Sequence, residues 1–183
     1  MECNGERKVR QTKIAHFLSI ATCAALALGG VAMAKPIAPH APLSKLGKQI
    51  MAAQHKTQPD KCPDAASVGI PAYPESLCIG VVTVTAKGMP ADRLPWPRVN
   101  LVSKSPANQV QKWYADRLKG WKYDPKLKHF VRPGWTFRRM MFEPDVIVKS
   151  ATKSSLALYG MAFDLSGAKT LITIAYKAKG AAK

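Results

Sequence analysis

The N-terminal segment decides where this chain folds, and so constrains everything after it. Arg7, Lys8, Arg10 and Lys13 make a basic start. An apolar run over 14–31 follows, broken only by His16, Ser19, Thr22 and glycines. It closes in Ala32-Met33-Ala34, the small-x-small end that a signal peptidase requires. A cleaved secretory signal over 1–34 is expected, with the mature chain starting at Lys35. An uncleaved anchor is the competing reading, because the run is nearly long enough to span a bilayer. Gly29, Gly30 and the Ala-x-Ala end favour cleavage. Acylation at Cys23 fits poorly: Thr22 precedes it where a smaller residue is usual, and apolar sequence continues beyond. No later stretch reaches the roughly 18 apolar residues of a span. A periplasmic or secreted protein with no transmembrane segment after cleavage is expected.

Export places the remaining 149 residues, enough for one domain with a core, in an oxidising compartment. Only Cys62 and Cys78 remain there, and a disulfide is their simplest use. Closing the loop between them is worth on the order of 3 kcal/mol. A redox pair is the alternative, and no C-x-x-C spacing supports it.

The full chain has 28 Lys plus Arg against 11 Asp plus Glu. The leader carries four and two of these, which leaves 24 against 9 and a net charge of +15. Such an excess attracts polyanions. Outside the cytoplasm these are anionic lipid head groups, lipopolysaccharide, acidic wall polymers and nucleic acid. The competing reading is that the charge serves solubility alone.

Residues 35–42 hold three prolines and read as an extended, mobile arm. Ser44 can cap a short helix over 44–56, with Leu43, Leu46, Ile50 and Ala53 on one face. Residues 58–74 read as loop, 79–85 as a strand, 88–97 as loop and 99–102 as a short strand. The clearest element is a helix over 106–119, with Ser105 as cap and Pro106 at its first position. Its apolar face is Val110, Trp113, Tyr114 and Leu118, and Gly120 ends it at C′. Strands are expected at 135–142, 156–163 and 170–176, the last two joined as a hairpin by the turn residues 164–169. Ile172, Ile174 and Tyr176 should share one face of the last strand, Thr173 and Ala175 the other. The expected fold is a single α+β domain over 43–177, an antiparallel sheet packed by one main helix plus a short N-terminal helix. A basic tail follows over 178–183.

Ile70-Pro-Ala-Tyr73-Pro74 precedes the first strand. Later come Ser103-Lys-Ser105, then Val110-Gln-Lys-Trp113-Tyr114-Ala-Asp-Arg-Leu118 and Gly120-Trp121. This pattern resembles a loose group of small exported bacterial proteins and lipoproteins of unknown function. They share a P-x-Y-P opening, a V-x-x-W/F-Y-x-x-x-L helix and a G-W exit into a sheet. The resemblance covers 70–160 and implies an α+β fold and an envelope location, with no implied activity. Glu75-Ser76-Leu77-Cys78 departs from the group, which more often has a small residue and no cysteine there.

Chemistry is sparse. His40, His55 and His129 have no other His or Cys at metal-ligand spacing, so neither a metal nor a cofactor is expected. His40, within the proline arm, should be solvated. Ser166 is preceded by Asp164-Leu165, which is no nucleophile elbow, and nucleotide-binding glycine motifs are absent. The local feature that stands out is 119–139, with seven basic residues against Asp124. Six of them, Lys122, Lys126, Lys128, Arg132, Arg138 and Arg139, are the candidate anion-binding set. Trp121, Tyr123, Phe130, Trp135 and Phe137 are interleaved with them. Either these rings join the cations in a basic-aromatic face, or they point inward and the cations are only solvated. The expected function is non-enzymatic: a binding module for an anionic membrane or envelope polymer, or for a protein partner. Export makes nucleic acid the less suited partner. The alternatives are a hydrolase with an unrecognised site, or a structural subunit of an envelope assembly.

Overall fold

The computed structural model describes residues 35–54, 61–84, 87, 94–136 and 141–177. The leader, the tail over 178–183, His55 and Arg138 with Arg139 lie outside the described residues. Ten elements follow in order: α1 (Lys45–Ala53), α2 (Ala65–Val68), β1 (Leu77–Val82), β2 (Arg98–Ser103), α3 (Ala107–Arg117), β3 (Lys122–Asp124), β4 (His129–Val131), β5 (Asp145–Ser150), α4 (Lys153–Gly160) and β6 (Thr170–Ala175). All six strands form one antiparallel sheet in the order β1-β2-β6-β5-β4-β3. The fold is α+β, as expected.

Strand alternation sorts the side chains into two layers. Val99, Leu101, Ile172, Ile174, Val146, Val148 and Phe130 join Val110, Tyr114 and Leu118 of the α3 face in the main core. Tyr176 continues the Ile172–Ile174 face just beyond β6. On the other side of β1, β2 and β6, Leu77, Ile79, Val102 and Leu171 meet Leu156, Tyr159 and Phe163 in a second cluster. Strand β2, between β1 and β6, is therefore buried on both faces.

Several local expectations change. The segment 156–163 is not a strand: 156–160 form the second part of α4, and 161–163 follow its end. Thr152 and Ser155 form a reciprocal capping box there, which fixes a helix start before the apolar run can extend. The turn over 164–169 leads from α4 into β6, and β6 pairs with β2 and β5 instead. The described residues of 135–142 lie outside any strand. Three strands were not anticipated: β3, β4 and β5. Pro106, not Ser105, is the N-cap of α3, since its extended ψ of 151° puts it outside the helix. Ser105 is occupied elsewhere: its hydroxyl accepts from Tyr73, and its carbonyl accepts from Thr170. Leu118 is the C-cap, and Gly120 falls two residues later at φ 82°.

Tyr73 also packs edge-on against Trp113, 5.5 Å between ring centres, and Trp113 meets Tyr114 at 4.9 Å. The P-x-Y-P opening and the helix aromatics thus form one packing unit.

Ser44 caps α1 as expected, its hydroxyl accepting from the Gly47 N–H. Its apolar face, however, is not buried: Leu46 is 46 % and Ile50 38 % exposed. What seats α1 is Gly47, which lies so close to the Ala162 carbonyl that a Cβ there would collide with it.

The arm over 35–42 is extended, yet it is not free. Ile37 donates to Pro63, Ala41 to Cys78 and Cys78 to Pro39, so the arm pairs beside β1. Ala38 and Ala41 are buried, and His40 is half-buried rather than solvated. The Cys62–Cys78 disulfide is present, with Cα atoms 6.5 Å apart, and ties the loop before α2 to β1.

Candidate functional site

The structure sets β3 and β4 as a hairpin at one free edge of the sheet. Alternation sends Tyr123 and Phe130 toward α3, where their rings pack at 4.8 Å and the Tyr123 hydroxyl accepts from Gln111. Lys122 and Asp124 fall on the opposite face. The Asp124 carboxylate accepts the backbone N–H groups of Lys126 and Leu127 and shapes the turn. Lys128 holds that turn in the left-handed region at φ 59°.

Lys122, Lys126 and Lys128 are all exposed. Arg132 is exposed as well, with its guanidinium 5.3 Å from the Trp121 ring centre. The candidate cations described are thus strung along one sheet edge, two at the turn and two at the open end. Most of the aromatics do not join them: Phe130 is buried, Tyr123 packs against the core and Trp135 is half-buried, while half-buried Trp121 is the ring that Arg132 lies over.

Behind this edge lies a polar cluster that composition did not signal. On the face away from α3, the register aligns Arg98, Ala175 and Asp145 in one row across β2, β6 and β5. Ala175 is small enough for Arg98 to reach over it and bind Asp145 through two hydrogen bonds of 3.1 Å. Asp145 is fully buried, and Arg98 keeps 22 % of its side chain in water. Burial pushes the Asp145 carboxyl above its ordinary range, while Arg98 pulls it back. His129 on β4 is 5 % exposed, with Nδ1 3.9 Å from the Asp145 carboxylate. Burial, with repulsion from Lys149 and Arg98, lowers its pKa to about 4. The imidazole is therefore neutral at physiological pH, and the pair contact with Asp145 is not a salt bridge there. The Trp135 ring lies edge-on to His129, 6.1 Å between centres.

A separate cleft of about 380 Å³ opens at the end of β1 and β2. Leu77, Val102 and Leu165 give it an apolar floor, and Glu75, Lys104, Asp164 and Ser166 a polar rim. Glu75 sits at φ 61°, which is where the sequence departs from the group it resembles. Hydrogen bonds from Ser166 hold the Asp164 carboxyl below its usual range, so it is ionised and unsuited to donate a proton. No histidine is among the residues that line the cleft, so no Ser–His pair assembles there, while Glu75 and Asp164 place two carboxylates on its rim.

Through space, His40 comes 3.6 Å from Cys62 Sγ, a neighbour that spacing along the chain did not reveal. His40, Cys62 and Cys78 are the one group with metal-ligand composition and geometry among the described residues. Its two sulfurs are bonded to each other and are not thiolate ligands in this state.

Among the described residues, no helix is long and apolar enough to cross a membrane. Compared with known proteins, the chain matches no family model, no curated protein and no solved structure.

Proposed function

We propose that this chain is a non-enzymatic binding module of the cell envelope, engaging an anionic partner through the β3–β4 edge. The observation that carries this reading is the division of labour in the hairpin. Its aromatic side chains turn into the core, while Lys122, Lys126 and Lys128 stand in water, joined by Arg132. The one acid among them, Asp124, accepts two backbone N–H groups at the turn. With Tyr123 and Phe130 turned into the core, recognition is led by charge, with Trp121 beneath Arg132 as an aromatic beside the cations. The export leader and the resemblance to small exported proteins support an envelope partner. Among the residues that line the cleft there is no Ser–His pair, which weighs against a serine hydrolase.

The test is titration of the exported protein with soluble polyphosphate across a salt series. Each lysine at an anionic surface contributes about 1 kcal/mol. Replacing Lys122, Lys126 and Lys128 together by Gln should therefore weaken binding roughly a hundredfold at low salt. Affinity should fall steeply with salt in the parent and less steeply in the variant. Unchanged affinity in the variant would overturn the assignment of this edge.

A further inference from the structure

The periodicity of α1 suggests a core helix, yet its apolar side faces water. Leu46 and Ile50, one turn apart, are both exposed. The same is true of α4, where Leu158 is 78 % and Met161 51 % exposed. The two helices are joined end to end. The Ser44 hydroxyl donates to the Met161 carbonyl at 2.6 Å, the Ser44 N–H donates to Ala162, and Gly47 seats against Ala162. Four large apolar side chains are thus offered to solvent from two adjoining helices, and isolated exposure does not account for that grouping.

The charges around them narrow the occupant. Over 44–54 and 152–161 the sequence has Lys45, Lys48 and Lys153 and no acidic residue. All three lysines are exposed. Lys153 stands at the first position of α4, where the macrodipole disfavours a cation and an anion would offset it. Apolar side chains beside lysines, with no acid present, complement a surface that is anionic at its head groups and apolar beneath.

From this complementarity we infer that the α1–α4 face docks on an anionic phospholipid membrane. Leu46, Ile50, Leu158 and Met161 enter the acyl boundary, and Lys45 and Lys153 meet the phosphates. This surface is distinct from the β3–β4 edge. It covers the β1, β2 and β6 part of the sheet through Leu156 and Tyr159. Edge strands β1 and β3 lie five strand spacings apart, roughly 24 Å.

The experiment is co-sedimentation of the exported protein with vesicles of phosphatidylglycerol and phosphatidylcholine, and with phosphatidylcholine alone, at physiological salt. Leu158→Ser with Met161→Ser is the first variant, and Leu46→Ser with Ile50→Ser the second; all four residues are exposed, so the fold tolerates them. The parent is expected to pellet with the anionic vesicles. Each pair should weaken that binding by about tenfold or more, while leaving polyphosphate binding unchanged. Three outcomes would overturn the inference. In the first, the parent does not pellet. In the second, both serine variants pellet as the parent does, and only the Lys122, Lys126, Lys128 variant fails to. In the third, the apolar face mediates self-association that the serine pairs abolish, with no vesicle binding at any concentration. Failure of polyphosphate binding alone would count against the β3–β4 edge and leave this surface standing.

Discussion

Arg98 and Asp145 form an ion pair whose two ends are unequally buried, and their removal should cost unequal amounts. Replacing Arg98 by Met leaves a carboxylate that is 0 % exposed and has lost its bidentate cation. Breaking a buried pair this way costs about 3–5 kcal/mol. Replacing Asp145 by Asn leaves Arg98, whose side chain is 22 % exposed and can recover water. That loss is nearer the roughly 1.5–3 kcal/mol of a hydrogen bond to a charged group. With a urea m-value of about 2 kcal/mol/M, the Met variant should lose about 2 M in midpoint and the Asn variant about 1 M. The sign of the pH effect follows from the carboxyl. Once Arg98 is gone, the Asp145 pKa climbs further above its unfolded value. The penalty is then full above the folded pKa and vanishes below the unfolded one, so the Met variant should recover stability on acidification. The double variant should cost less than the sum of the two. Urea unfolding followed by circular dichroism, with the disulfide intact, reads all three. Equal costs for the two single variants, or a pH-independent deficit in Arg98→Met, would refute the asymmetry.

His129 provides a pH test of opposite sign. Its folded pKa of about 4 lies below the ordinary 6.5, so between those values the unfolded chain takes up a proton that the folded one refuses. Stability should fall by about 3 kcal/mol from pH 6.5 to 4, offset in part by the raised Asp145 carboxyl, and His129→Gln should flatten the slope in urea midpoints. Replacing Cys62 and Cys78 by Ser should cost on the order of 3 kcal/mol. Because the arm bonds to Cys78 and Pro63, limited proteolysis should then cut first within 35–42.

How much of this was legible in the sequence depended on whether the information was local. The Ser44 cap, the α3 face and the alternation of β6 rest on neighbours a few residues apart, and they hold; the disulfide, across 16 residues, followed from only two cysteines remaining after the leader. The apolar run at 156–163 is eight residues long and fits a short strand or a helix equally; the Thr152–Ser155 box upstream decides it. Strands β3 and β4 have three residues each, too few for a period to declare itself. Asp145-Val-Ile-Val148 is β-branched and was a readable signal for β5. The Arg98–Asp145–His129 cluster was invisible because only sheet register brings those positions together. Spacing also placed Leu46 and Ile50 correctly on one face of α1, but periodicity does not say whether a face looks inward or out.

Among the described residues, the last strand in chain order stands in the middle of the sheet. β6 alone pairs β2 on one side and β5 on the other. Until Thr170–Ala175 is available, β1–β2 and β3–β4–β5 are two separate ribbons with exposed edges. Before that strand is in place the chain holds no complete sheet, and loss of residues 170–183 would split the sheet rather than trim it.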